Sequence, residues 1–295
     1  MVLFCAAVAS TVLLVRARHD SDIADLVSKM PADGAVFAHI NVKALREADL
    51  MPLIANQHSE VEPEYLQFVK DSGFDYTVDL DSVVGAFCEG DTFLFLQGRF
   101  NWGQLRRYAE QNGGACVNSL CRVRTREAPE HWVSFFPVTP SLMALASSPD
   151  AWAVVTLHDR KDHAWLGDLP EAPFWLTTRG SVLTHAEWLP TGTRSFVSPM
   201  ADAERISFSL APGPDAFQAR LEVACDSLGA ASSLAQELGR VTRLLQSLIR
   251  RENKQPGKHD LSGILTQGSF EQQGTLVRGY WPVPREFLIN AAGRD

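Results

Sequence analysis

Residues 83–97 read VVGAFCEGDTFLFLQ, two apolar runs separated by Glu89-Gly90-Asp91. An acidic residue followed by glycine between two β-prone runs is a hairpin signal, because glycine supplies the positive φ that a tight turn requires. The pair predicts two antiparallel strands. Working outward, Ala35–Asn41 (AVFAHIN) alternates as another strand, after Pro31-Ala32-Asp33-Gly34 breaks a short helical spacer over Ser21–Met30. Val42–Gln57 carries Leu45, Leu50, Leu53 and Ile54 on one side and predicts a helix. Pro63 starts a second helix, bearing Tyr65, Phe68 and Val69, and Gly73 ends it. Trp102–Gln111 sets Leu105, Tyr108 and Ala109 along one stripe and stops at Gly113-Gly114. Strands are expected at 121–126, 132–138 and 142–147, and a helix from Asp150, a good N-cap.

The polar stretch from His158 to Pro173 predicts a domain boundary, and the same order then recurs. Phe174–Thr178 reads as a strand and Ser181–Trp188 as a helix. Arg205–Leu210 and Phe217–Cys225 form a hairpin around Pro212-Gly213-Pro214-Asp215. The strongest helical pattern is Leu228–Arg251, with Ala231, Leu234, Leu238, Val241, Leu245 and Leu248 three and four residues apart. Asp226 or Ser227 caps it. Gly268–Gln272 and Thr275–Trp281 make a last hairpin, and Pro284 opens a terminal helix. The recurrence predicts an α+β fold of two ferredoxin-like (split βαβ) modules with antiparallel sheets, helices on one face, preceded by an N-terminal hydrophobic helix. The expected segments are 1–18 as a membrane anchor or signal, 19–33 as a spacer, 34–160 as the first module and 161–295 as the second.

The chain begins MVLFCAAVASTVLLV, followed by Arg16, Arg18, His19 and Asp20. A membrane span needs about 20 apolar residues, so Val2–Val15 is short by roughly two helical turns. A signal peptide wants basic residues before its apolar run, and here they follow it. The leading expectation is a signal anchor whose upstream part is missing; a cleaved signal and a buried helix are the alternatives. Arg16 and Arg18 taken literally would keep the body in the cytoplasm. A short anchor before one large body favours the periplasmic or extracytoplasmic side.

Hydrophobic residues make up 45% of the 295 and charged residues 21%, a globular balance able to bury a core. The net charge of −8, with no basic patch, argues against nucleic-acid binding. Of five cysteines, Cys88 and Cys225 lie in strand-like runs and read as buried thiols, and Cys5 lies in the apolar segment. Cys116 and Cys121 flank a turn, and their spacing permits a cross-strand disulfide or two unlinked strand cysteines.

Gly73-Phe74-Asp75, Asp79-Leu80-Asp81 and Gly98-Arg99-Phe100, with the proline-small-acid step into the first strand, resemble a group of uncharacterised bacterial membrane-anchored envelope proteins. The resemblance implies an amino-terminal membrane segment. That group carries no activity or catalytic residue to transfer.

Short polar motifs read better as structure than as chemistry. His158, Asp159, Asp162 and His163 form an H-D-x-x-D-H string without a distant third ligand. Asp71, Asp75, Asp79 and Asp81 lack calcium-loop spacing and fit caps and turns. Glu60, Glu62 and Glu64 beside Pro63 fit the first turn of a helix. His185 and Glu187 form no metalloprotease pattern, Ser181 and Ser195 lack a nucleophile elbow, and no glycine-rich phosphate loop follows a strand. No cofactor or metal site is therefore expected. Trp152, Trp165, Trp175 and Trp188 gather near the proposed boundary, where an interdomain aromatic cleft could take an apolar or carbohydrate ligand, or where they simply fill the core. The leading functional expectation is a non-enzymatic, membrane-anchored module that binds a protein partner or scaffolds an assembly. A ligand-binding protein with an interdomain cleft comes next, and a hydrolase without a recognisable motif last.

Overall fold

The computed structural model describes residues 22–51, 63–125, 130–161, 163–188, 197–213, 216–251 and 261–292. Twelve strands pair into one sheet: β1 (Val36–Ile40), β2 (Leu80–Cys88), β3 (Asp91–Gly98), β4 (Ala115–Val117), β5 (Leu120–Arg124), β6 (Trp132–Thr139), β7 (Leu142–Ser148), β8 (Phe174–Thr178), β9 (Arg205–Pro212), β10 (Phe217–Ala224), β11 (Ser269–Gln273) and β12 (Leu276–Val283). The helices are α1 (Ile23–Val27), α2 (Val42–Glu47), α3 (Pro63–Ser72), α4 (Tyr76–Asp79), α5 (Trp102–Gln111), α6 (Leu228–Arg251), α7 (Leu261–Leu265) and α8 (Arg285–Ala292). The chain is therefore α+β with a large antiparallel sheet. The hairpin around Glu89-Gly90-Asp91 is β2–β3, turning at Gly90 with φ 77°. Residues 1–18, the expected membrane segment with Cys5, lie outside the described residues. Among the described residues no helix is long and apolar enough to cross a membrane.

The expected pair of separate sheets is corrected to one. The strand order is β11-β12-β10-β9-β8-β1-β2-β3-β7-β6-β5-β4, with β1 and β8 joining the halves through Val36↔Thr178, Ala38↔Leu176 and Ile40↔Phe174. Outward from that seam the halves follow one plan, β1-β2-β3-β7-β6 and β8-β9-β10-β12-β11. Each half keeps one helical crossover: α6 carries the chain from β10 to β11 with β12 lying between, a split βαβ unit. The interlocked ferredoxin-like order does not form. The first helical connection of each half returns to the adjacent antiparallel strand, β1 to β2 and β8 to β9. Such meanders leave β1 and β8 with open edges, and pairing them satisfies both rows of backbone groups.

Lys161, His163 and the residues from 164 to 173 form a strap across the first half. The Lys161 backbone N–H donates to the Ser28 carbonyl at 2.6 Å, the Lys161 Nζ to the Lys29 carbonyl at 2.6 Å, and His163 Nε2 lies 2.8 Å from the Met30 carbonyl. Asp25 clamps the same strap, accepting from Lys29 at 2.9 Å and Arg160 Nε at 3.0 Å; these hydrogen bonds hold its carboxyl below the usual range. The helices expected after Asp150 and Ser181 are 3₁₀ turns, Ala153–His158 and Gly180–Trp188. In the first, consecutive Val154, Val155 and Thr156 are stiff at χ1 and disfavour a longer α-helix. The helix expected over 42–57 stops at Glu47, because Asp49 at φ 55° turns the chain so that Leu50 folds back into the core.

Side-chain parity assigns the layers. Phe37, Val84, Phe95, Ala144 and Trp175 share one face, covered by α1, the 153–158 turn and Leu166. Leu221, Val223, Val277 and Trp281 lie on the opposite face, under α6. In the first half that opposite face is covered as well, by α5 over Phe135 and Met143. The expectation of helices on one face thus holds for α5 and α6, while α1 and the strap add a third layer.

His39 sits at the seam, opposite Trp175 and 4% exposed. Burial drives its pKa from 6.5 down to about 4, with the Ala172 carbonyl working the other way. The neutral ring is the form the fold accepts. Its contribution is therefore complete above pH 6.5 and is lost as pH falls towards 4, a loss of about 3 kcal/mol over the whole window. Chemical denaturation at pH 7.5 and 4.5 should show this decline, and His39→Phe should flatten it.

Candidate functional site

A cavity of about 560 Å³ opens in the first half between α3, α5 and the sheet. Strands β3 (TFLFLQ over 92–97) and β7 (LMALAS over 142–147) are nearly continuous in apolar residues. Phe93, Phe95, Ala144 and Ala146 feed the core under α1, and Leu96, Met143 and Leu145 face the other way into the cavity. Phe135 and Val133 of β6 and Val123 of β5 extend this floor. Helix α5 forms the roof. Asn101 caps it by accepting from the Gln104 N–H at 3.2 Å, its buried Leu105 and Ala109 point at the sheet, and Tyr108 meets Phe68 of α3 edge-on at 5.2 Å.

The polar groups of the cavity gather at one end. Asn112, at the carboxyl end of α5, lies beside the end of β5 that carries Arg124 and Thr125. Gly114 allows this approach, since a Cβ there would sit 2.4 Å from the Arg122 carbonyl oxygen and 2.7 Å from that of Ala109. Arg124 pairs with Glu130 at an exposed position, and Thr125 binds His131 through backbone and hydroxyl. Phe74, also in the lining, stacks on Phe100 behind it, and Phe100 meets Trp102 at a 45° tilt. Such a site, an apolar chamber with a few polar atoms at one mouth, can retain an apolar molecule and orient it.

Cys116 and Cys121 are joined by a disulfide across β4–β5, at the sheet edge beside α5. Burial raises the thiol pKa of Cys88 and Cys225, which are free.

Trp152, Trp165 and Trp175 do not converge on one cleft. Trp152 is 49% exposed beneath the Arg122 guanidinium, 3.9 Å from its ring centre. Trp165 packs on Phe37 with Arg179 above it. Trp175 is 1% exposed in the seam, spent on packing with His39. The side chain of Trp188 lies outside the described residues, as do those of His185 and Glu187, and Ser195, Glu60, Glu62 and Asp162 entirely. His163 is bound to the Met30 carbonyl and packed on Phe37. Asp75 caps α4 and accepts from Thr77 and the Tyr65 hydroxyl; burial and this carboxylate push the Tyr65 pKa up. Asp79 pairs with Arg99, Asp81 lies 3.9 Å from Arg46, and Asp71 accepts from Gln67. Glu64 stands in the first turn of α3. Among the described residues no group of three His, Cys, Asp or Glu is placed to hold a metal ion.

No family model matches the chain. No curated protein matches it either. Among solved structures it is similar to crystal form III of TP0453, at a TM-score of 0.44 and 12% identity over 92% of this chain and 99% of that one. Crystal form I of TP0453 gives 0.45 and 12% over 93% and 97%, and form IV gives 0.43 and 11% over 90% and 94%.

Sequence reasoning missed the cavity because it sought a cleft between modules. The available signal was the pair of unalternating runs in β3 and β7, which mark strands covered on both faces. If Gly114 sets the approach of α5 to β5, Gly114→Ala should destabilise the fold by about 1–3 kcal/mol, since the clashing atoms are backbone and cannot rotate away. Urea denaturation monitored by tryptophan fluorescence measures it.

Proposed function

We propose that this protein is a non-enzymatic binding module, held at a membrane by residues 1–18 with its body on the outer side, that takes an apolar small molecule into the cavity beneath α5. The observation that carries the reading is the cavity itself. Its volume of about 560 Å³ falls within the usual range for small-molecule sites, its lining is chiefly aliphatic and aromatic, and its polar groups stand at one end. Apolar transfer supplies the affinity, at roughly 25 cal/mol per Å² removed from water, and Tyr108 and Asn112 supply orientation. The membrane assignment rests on the apolar run Val2–Val15 and on the resemblance to membrane-anchored envelope proteins. The shared strand plan of the two halves supports reading the body as a repeated α+β unit.

A protein partner is the second reading. It is favoured by Leu244 and Leu248, four residues apart on α6 and 57% and 45% exposed.

Titration of the full chain with 1-N-phenylnaphthylamine tests the site. Saturable fluorescence enhancement is expected, reduced at least tenfold by the cavity-filling variants Leu145→Trp and Val123→Phe. Equal binding by wild type and both variants, all folded by circular dichroism, would remove the cavity from consideration. For the anchor, a reporter enzyme active only outside the cytoplasm is expected to work when fused after Asp20; an inactive fusion would reverse the sidedness.

A further inference from the structure

A second, polar groove lies on the other face of the sheet, beside the seam between the halves. Two adjoining cavities of about 690 and 910 Å³ share Asp22, Ile23, His39, Asn41 and Ala44. One runs under α1 and α2 as far as Gln97 of β3, and the other follows the strap from Gly167 to Pro173. Two buried polar atoms in its wall, His39 Nδ1 and Gln97 Oε1, have no partner among the described residues. His39 is 4% exposed, so this atom is withheld from bulk water. Gln97 donates from Nε2 to Ser141 Oγ at 3.1 Å, which fixes the amide and turns the oxygen away as an acceptor. An unpaired buried acceptor is costly, so the Gln97 amide oxygen is prepared for a donor, and the His39 ring nitrogen can take one in the tautomer that leaves it unprotonated.

The charges point the same way. Among the described residues that line the groove, Asp22, Glu47, Asp81, Asp168 and Glu171 stand against one cation, Lys43. Arg46 approaches Asp81 only to 3.9 Å and is itself bound to the carbonyls of Thr77 and Leu80. His39 pairs with Val84 on β2 and Gln97 with Ser82, so both side chains leave the same face, two strands and two residues apart. Strand spacing and rise put their backbone positions about 12 Å apart. One ammonium group cannot span both positions, whereas an extended chain with amines at both ends can.

We propose that this groove binds a small organic polycation of the di- or polyamine class, one terminal amine donating to Gln97 Oε1 and the other held near His39 among the surrounding carboxylates. The site is separate from the apolar cavity and independent of what that cavity holds.

Isothermal titration of the full chain with spermidine, at pH 7.5 and 150 mM salt, is the test. One saturable site is expected, weakened at least tenfold by His39→Phe, which keeps a ring against Trp175, and by Gln97→Leu. Both variants should still bind 1-N-phenylnaphthylamine as wild type does, which reports that they fold. Should His39→Phe fail that check, Gln97→Leu decides. Absence of saturable binding, unchanged affinity in the folded variants, or equal heats with magnesium chloride would overturn the proposal, the last by showing that only surface charge is being screened.

Discussion

The pairing of β1 with β8 is the constraint on which the rest of the structure depends. Each half of the chain builds a meander whose first strand would end in an unpaired edge. Five register pairs from Val36↔Thr178 to Ile40↔Phe174 close that edge and make one sheet of the two halves. The side chains at the seam follow from it. Phe37 and Trp175, both almost fully buried, reach a common core only because their strands are neighbours. Burying each contributes about 1.5–3 kcal/mol, so the junction is a core and not a contact between finished domains. The strap then has a surface to lie on, and the ties from Lys161 and His163 to Ser28, Lys29 and Met30 hold α1 against the same face.

Coverage of the sheet differs between the halves, and this difference leaves the cavity. In the second half α6 is long enough, at 24 residues, to seal its face with Ala231, Leu234 and Leu238. In the first half the corresponding crossover is α5, with 10 residues, and the hairpin β4–β5 widens the sheet beneath it. A short helix over a wide floor leaves a volume that Phe68 and Tyr108 roof without filling. The disulfide between Cys116 and Cys121 ties that hairpin at the edge, where a three-residue strand has few ladder bonds to hold it.

The seam exacts a cost in polar groups. His39 replaces what could have been another aliphatic residue in β1, and Gln97 ends the apolar run of β3 on the same face. Both keep an unpartnered atom in a wall of carboxylates. A fold that packs Phe37 and Trp175 tightly on one side of His39 leaves it hydrophilic on the other, so structure and binding potential meet at a single residue.

By itself the sequence determined the local elements. Periodicity of three and four placed α6 at Leu228–Arg251, alternation and turn residues placed β2–β3 and β9–β10, and a cap such as Asp75 supplied the start of a helix. The spacing of Cys116 and Cys121 across a turn was visible as well. These features depend on contacts within a few residues, which a sequence displays directly. Only the tertiary structure decided the joining of β1 to β8, the meander in place of a ferredoxin-like interlock, and the scattering of Trp152, Trp165 and Trp175. An edge strand carries no mark of its partner, because any antiparallel neighbour satisfies the same backbone groups. The cavity was equally out of reach: Leu96, Val123, Phe135 and Leu145 read as ordinary core residues, and whether a helix fills the space above them depends on how long that helix is and how wide a sheet it must cover.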